Sequence, residues 1–337
     1  YRDTDEVVWA LNAPDGKELW STKLGQANRK MGYAEGPRCT PTVDGSLCFV
    51  LGGGGNLACL ETASGRLVWQ KDLVKEHGAV MMSGWGFSES PLVDGDLVVC
   101  TPGGAQGTML ALNKKTGQKL WQSAEIQDKA AYSSIVVASL AGVRQYVQLT
   151  DAHVFGADPA SGKVLWKAER KGRTAVVPTP IIRGDVVYVT SGYAVGCHAF
   201  RISKAGSGLQ AEPVYANKEM VNHHGGVVLL GDHLYGYSDG KGWVCQEFQT
   251  GTSAWRERSK LGKGAISCAD GHLYLRQEDG PGTMVLIEAT PRGFVEKGRF
   301  DQPDRSDKNS WPHPVIVGGR LYLRDQGVLL CYDVSKG

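Results

Sequence analysis

Any recognition chemistry in this chain would rest on Arg38, Glu89, His223, His224 and His313, with Trp85, Tyr132 and Trp311 supplying flat faces beside them. Aromatic rings next to Arg, Glu and His suit a pocket for a sugar or a small polar anion. The same mix suits a peptide loop whose anchors are buried among aromatics. Glu35 and Ser88 complete the candidate set. Alternatives remain for single members: Arg38 and Glu89 can pair with each other, and His224 can bond a backbone carbonyl. Two adjacent His on an extended segment point to opposite faces, so "NHHGG" offers at most one ring to a given site.

Familiar catalytic signatures are missing. "LGGGGN" (51–56) has no Gly-Lys-Ser/Thr, so it reads as a tight turn between strands rather than a phosphate loop. There is no GxSxG elbow, HExxH or CxxC. The eight Cys fall in apolar runs or recur at one phase of a repeat (Cys59, Cys245, Cys331), as buried thiols acting as small apolar residues would. No catalytic residue and no metal ligand set is assigned. A net charge of +2 without a Lys/Arg run gives no nucleic-acid footprint, and no apolar run is long enough for a membrane helix.

The candidates are placed by a repeat. "ALNAPDGKELW", "CLETASGRLVW", "ALNKKTGQKLW", "GADPASGKVLW" and "CQEFQTGTSAW" are five copies of one string, ending at Trp20, Trp69, Trp121, Trp166 and Trp255. Degenerate copies lie near 197–210 and 286–298, and a last one ends at Gly337, making eight. Ahead of most copies runs a second pattern, as in "PTVDGSLCFV" and "PLVDGDLVVC". An apolar strand meets an Asp-Gly turn and then a β-branched strand, which is a hairpin signal. One unit is therefore four short strands, and Gly at 45 of 337 residues serves its turns.

Such units predict an all-β fold: an eight-bladed β-propeller of four-stranded antiparallel blades, spanning 1–337 as one domain. The expected blades are 1–24 (partial), 38–74, 88–126, 131–170, 174–216, 222–261, 262–300 and 312–337 (partial). The five Trp close outer strands, wedge against the next blade and donate their N–H there. Stepping back three residues from each expected inner strand gives Arg38, Ser88, Tyr132, Val177, His224, Gly264 and Trp311, a column that does not repeat. Equal phase means equal radius, so these residues should ring one mouth of a central channel, joined by Glu35, Trp85, Glu89, His223 and His313. The polar connection 297–314 can cap that mouth or stay solvated.

The Ala-x-Asp/Asn-x-x-x-Gly-x-x-x-Trp string resembles the tryptophan-docking motif of the quinoprotein, or PQQ-like, propeller family over essentially the whole chain. That family includes PQQ-dependent alcohol dehydrogenases and the non-enzymatic assembly lipoprotein BamB. "GYAEGPRCTPTVDG", "NHHGGVVL" and "WPHPVIVGGRLYLRDQ" are most similar to exported bacterial propellers of unassigned function. The resemblance implies a periplasmic or secreted protein, and the start at Tyr1, inside a unit and without Met, is expected to reflect a removed leader or a trimmed chain. It does not carry over the enzymes' Cys-Cys pair or their carboxylate-held Ca²⁺, so no cofactor is expected. The function read here is a non-catalytic binding or scaffold propeller taking a protein segment or a small saccharide-like ligand at the channel mouth. The alternative is a PQQ- and Ca²⁺-dependent dehydrogenase acting on an alcohol or sugar.

Overall fold

The computed structural model describes residues 4–27, 31 and 38–335, and two compact units divide the chain. The first holds residues 1–185 with 202–211, and the second holds 186–201 with 212–337.

The chain enters through a hairpin, β1 (Asp5–Leu11) and β2 (Glu18–Gln26). Next comes a four-stranded antiparallel sheet of β3 (Thr42–Asp44), β4 (Leu47–Leu51), β5 (Asn56–Glu61) and β6 (Leu67–Asp72), followed by a single helical turn, α1 (Leu73–His77). The second sheet is β7 (Leu92–Asp94), β8 (Leu97–Cys100), β9 (Leu110–Asn113) and β10 (Lys119–Gln122). The third is β11 (Val136–Leu140), β12 (Val143–Leu149), β13 (His153–Ala157) and β14 (Val164–Glu169). The division between the units falls within the fourth, made of β15 (Ile181–Arg183), β16 (Val186–Ser191), β17 (Gly196–Ala205) and β18 (Gly208–Asn217).

The second unit continues with β19 (Val227–Leu230), β20 (His233–Ser238), β21 (Gly242–Glu247) and β22 (Ser253–Glu257). A sixth sheet holds β23 (Gly264–Ala269), β24 (His272–Gln277), β25 (Met284–Glu288) and β26 (Glu296–Phe300). Three strands, β27 (Val315–Val317), β28 (Arg320–Asp325) and β29 (Val328–Asp333), form the last.

These sheets are the blades of an all-β propeller, and among the described residues there are seven, not the eight that the repeat count implied. The copy ending at Trp20 belongs to β1–β2, a two-stranded sheet without inner strands. The motif marks an outer hairpin, so counting motifs counts hairpins rather than blades. The last copy's Gly337 lies outside the described residues.

The apolar runs follow from burial on both faces. Along β8, Val98 and Cys100 pack with Phe49, Leu57 and Trp69 of the preceding blade. Val99, pointing the other way, packs with Tyr146 and Phe155 of the following one. Leu110 and Leu112 of β9 likewise face back while Ala111 faces forward. A strand covered on both sides has no polar face to show, so its sequence does not alternate.

The repeated string acquires a specific use here. Asn113 Oδ1 accepts the amides of Lys115 and Thr116 at 3.0 and 3.1 Å, and Asp158 does the same for Ala160 and Ser161. These Asx turns lead into Gly117 and Gly162, both at positive φ. Each Gly is also the seat of the preceding unit's Trp. A Cβ on Gly117 would lie 2.8 Å from Trp69 Cδ2, and Gly65 and Gly162 are pressed in the same way by Trp20 and Trp121. The indole N–H groups then reach backbone carbonyls of the next blade: Trp20 to Thr62 at 3.0 Å, Trp69 to Lys114 at 2.9 Å, Trp121 to Pro159 at 3.1 Å. In the second unit Trp255 reaches Thr290 O at 2.8 Å, and Tyr215 takes the ring's place over Gly251, its hydroxyl on Phe248 O at 2.8 Å. Trp166 differs: its N–H goes to Gln145 Oε1 of its own blade.

The eight cysteines are free, five buried and Cys39 half-buried, while Cys268 and Cys331 are exposed, against the expectation of burial. Strands β23 and β29 place these two on the outward phase of their pleat.

Gly16 has the same positive φ as Gly117, but no described atom lies within 4 Å of where its Cβ would stand. Gly16→Ala should therefore cost only the left-handed backbone penalty of about 1–2 kcal/mol. Gly117→Ala should cost that plus the displacement of the Trp69 ring, an overpacking term of roughly 1–3 kcal/mol. Urea unfolding of the two variants measures the difference, and equal losses would contradict ring docking.

Candidate functional site

Within an antiparallel blade, the connection entering the first strand and the turn between the second and third lie at the same end. Most of the candidate residues sit on such connections, and each unit assembles its own group.

In the first unit the group is mostly interior. Tyr132 and Trp85 rings lie 6.2 Å apart, the Tyr132 hydroxyl meets Ser83 Oγ, and Ser88 Oγ reaches Tyr132 O at 3.5 Å. Glu89 is 2% exposed. Its Oε1 accepts the Thr101 amide at 2.5 Å and its Oε2 accepts Gln148 Nε2 at 3.3 Å. Gln148 also donates to Thr101 Oγ1 and Ser133 O, so one buried amide ties three connections together. Burial pushes the Glu89 carboxyl up to about 8, against the opposing pull of the Thr101 bonds. The imagined Glu89–Arg38 pair is thus replaced by neutral hydrogen bonds on Glu89. Arg38 is held below its ordinary value by burial, with Tyr132 and Glu6 acting in the other direction.

Glu6 is a partner that repeat phase missed. It lies on β1, which has no inner strands and so no place in the column. Gly53 N–H donates to its Oε1 at 3.0 Å inside the "LGGGGN" turn, where Gly52 N–H bonds Asn56 O. Burial raises this carboxyl too. Glu35 lies outside the described residues.

In the second unit the group is charged and half-exposed. Asn222 clamps the loop that carries it, donating to Gly226 O and Tyr237 O at 2.9 Å each and accepting the Gly226 amide at 3.1 Å. The loop bends, so His223 and His224 do not diverge as an extended segment would have them. Their rings are 4.5 Å apart. Tyr193 meets His223 edge-on at 4.8 Å, and Trp311 lies 5.3 Å from His224, giving a continuous run of four rings. His224 Nε2 is 3.0 Å from Glu278 Oε2, and His313 Nε2 is 3.0 Å from His224 O. Lys263 Nζ donates to His223 Nδ1 at 3.0 Å while pairing with Asp239 at 2.7 Å. Burial, then the neighbouring His224 and Lys263, bring His223 down to about 4.

Gly264, expected three residues ahead of its strand, is instead the first residue of β23, paired with Gln277. It is pressed against Gly225, whose missing side chain lets the two loops touch.

The connection 301–310 is tied down rather than free. Asp325, fully buried, accepts the Ser306 amide at 2.7 Å and pairs with Arg305 at 2.6 Å. Burial alone would raise this carboxyl, but the Ser306 and Arg305 bonds outweigh it and hold it low. Ser310 N–H bonds Glu278 O at 2.7 Å, which delivers Trp311 to His224. Among the described residues no three His, Cys, Asp or Glu side chains converge as a cation site requires.

Four-stranded antiparallel blades with Trp seated on Gly define the PQQ-like propeller class. Residues 4–257 match the family described as outer membrane protein assembly factor BamB, and the chain belongs to it. A relative of that description from Burkholderia pseudomallei (strain K96243) is 26% identical over 289 residues, covering 79% of this chain and 68% of its own length. BamB from Moraxella catarrhalis is a structural neighbour with TM-score 0.66 and 16% identity, covering 98% of this chain and 90% of that one. The quinohemoprotein alcohol dehydrogenase of Comamonas testosteroni shares the fold at TM-score 0.60 and 12% identity, over 94% of this chain and 67% of that one. Among the described residues no helix is long and apolar enough to cross a membrane.

Two titrations check these environments. Between the ordinary carboxyl value of 4.5 and about 8, the unfolded chain has lost a proton that folded Glu89 keeps, so stability falls as pH rises through that window. Glu89→Gln should flatten this fall in urea titrations at about pH 5 and about pH 8; an unchanged pH slope would contradict it. Lys263→Met removes a cation that depresses His223, so the His223 midpoint should rise from about 4 toward 6.5 in an NMR titration, and a fixed midpoint would count against the contact.

Proposed function

We propose that this protein is a non-catalytic, periplasmic binding propeller that seats an extended segment of a partner protein on the ring run of its second unit. The observation that carries the reading is the run Tyr193–His223–His224–Trp311, flanked by Lys263 and Glu278. Adjoining rings give a segment's anchors large rigid area at low entropic cost. One cation and one carboxylate on the flank supply orientation. In the first unit both Glu89 oxygens and Glu6 Oε1 are bonded internally by Thr101, Gln148 and Gly53, which favours a structural part for Glu89 and Glu6. Kinship with an outer membrane protein assembly factor supports a protein as the partner and the periplasm as the working place.

A photo-crosslinking residue at position 311 in intact cells should trap one discrete protein, and Lys263→Glu should reduce the yield at least several-fold. The same residue at Leu120, exposed on an outer strand, should trap nothing specific. Crosslinks from 120 but not from 311 would contradict the proposal. Crosslinks from neither, together with a rise in melting temperature on adding PQQ and Ca²⁺, would favour the dehydrogenase alternative instead.

A further inference from the structure

A cavity of about 450 Å³ opens in the first unit, and none of the residues that repeat phase selected lines it. It is lined by Met82, Asp151, His153, Glu169, Lys171 and Thr174, with Ala152 and Gly172 between them. The turn from β12 to β13, the end of β14 and the connection to β15 build most of it.

The floor is a held imidazole. His153 Nδ1 lies 2.9 and 3.1 Å from the two oxygens of Asp128, and Thr150 Oγ1 donates to the same carboxylate at 2.5 Å. His153 N–H bonds Thr150 Oγ1 at 3.1 Å, which locks the ring's root. Asp128 takes Nδ1, which leaves Nε2 as the ring's other polar atom. Asp151 is anchored by the Lys129 amide at 3.0 Å, and burial, then Asp128, raise its carboxyl. The walls are set by backbone: Gly172 N–H bonds Asp151 O at 2.8 Å, and Thr174, a β-branched residue, sits at φ 49°. Such a conformation is unusual for Thr and needs surrounding structure to hold it.

Glu169 and Lys171 stand exposed at the rim, neither within ion-pair distance of an opposite charge among the described residues. The lining thus holds acceptors at His153, Asp151 and Glu169, and donors at Lys171 and Thr174. A simple anion would meet two carboxylates against one ammonium. A metal ion finds no triad of ligands among the described residues. An apolar molecule would find only Met82 and Ala152. The volume lies at the lower end of small-molecule pockets.

We propose that this cavity binds a small zwitterion of the free amino acid class. Its ammonium is taken by Glu169, Asp151 and His153 Nε2, and its carboxylate by Lys171 and the Thr174 hydroxyl. This site is separate from the ring run and does not depend on it.

The test titrates the whole chain calorimetrically with each of the twenty free amino acids, and with their N-acetyl and C-amide forms. At least one free amino acid should bind, and both blocked forms of it should bind at least tenfold more weakly. Lys171→Met and Glu169→Gln, substitutions at exposed positions, should each weaken binding at least tenfold with the melting temperature unchanged. His153→Gln, which keeps an acceptor but breaks the Asp128 pairing, should give a smaller loss. No binding by any free amino acid, or binding indifferent to K171M and E169Q, would overturn the proposal.

Discussion

At four places among the described residues a blade holds its neighbour by laying a ring on a glycine: Trp20 on Gly65, Trp69 on Gly117, Trp121 on Gly162 and Tyr215 on Gly251. The contact does three things with two residues. It buries most of a Trp or Tyr side chain, it places the ring's donor on a carbonyl of the next blade, and it requires a residue without Cβ at a left-handed position. Strands β8 and β9 are apolar on both faces because the seat brings blades close enough to cover both. The connections at the far end are then free to carry side chains chosen for other reasons.

This is why so much of the fold was legible. The Asx turn, the Gly and the Trp are local, recur at one spacing, and have one physical use. The blade count failed for the same reason that the blades were found. Gly16 and Trp20 satisfy the motif through β1 and β2 alone, and no local signal says whether inner strands accompany an outer hairpin.

The candidate site was legible only as far as phase reaches. Phase brought together His223, His224, Trp311 and His313, and it found Tyr132, Trp85 and Ser88 as neighbours. It could not say which groups are spent internally. Glu89 occupies the right place, yet a buried amide from Gln148, 59 residues away in sequence, consumes one of its oxygens. Nor could it foresee that Asn222 bends the "NHHGG" loop until both rings adjoin. Asp128 and His153 were invisible because they belong to different connections and stand outside the column. Only a fold brings a carboxylate and an imidazole 25 residues apart to 2.9 Å.

The two groups of candidate residues also differ in electrostatic character. Glu6 and Glu89 are buried carboxyls that burial raises against the pull of their backbone donors, and those donors specify loop conformation. Lys263 with Asp239 and His224 with Glu278 are side-chain pairs at 2.7 and 3.0 Å, which can exchange partners when a ligand arrives. The most direct measurement of ring docking is hydrogen exchange at the indole N–H groups, followed by ¹⁵N NMR. If rings on glycine hold the blades, the Trp20, Trp69 and Trp121 indole protons exchange only through unfolding, with protection equal to that of the β8 and β9 amides. Exchange of these indoles at the rate of free tryptophan, while the strand amides stay protected, would contradict it.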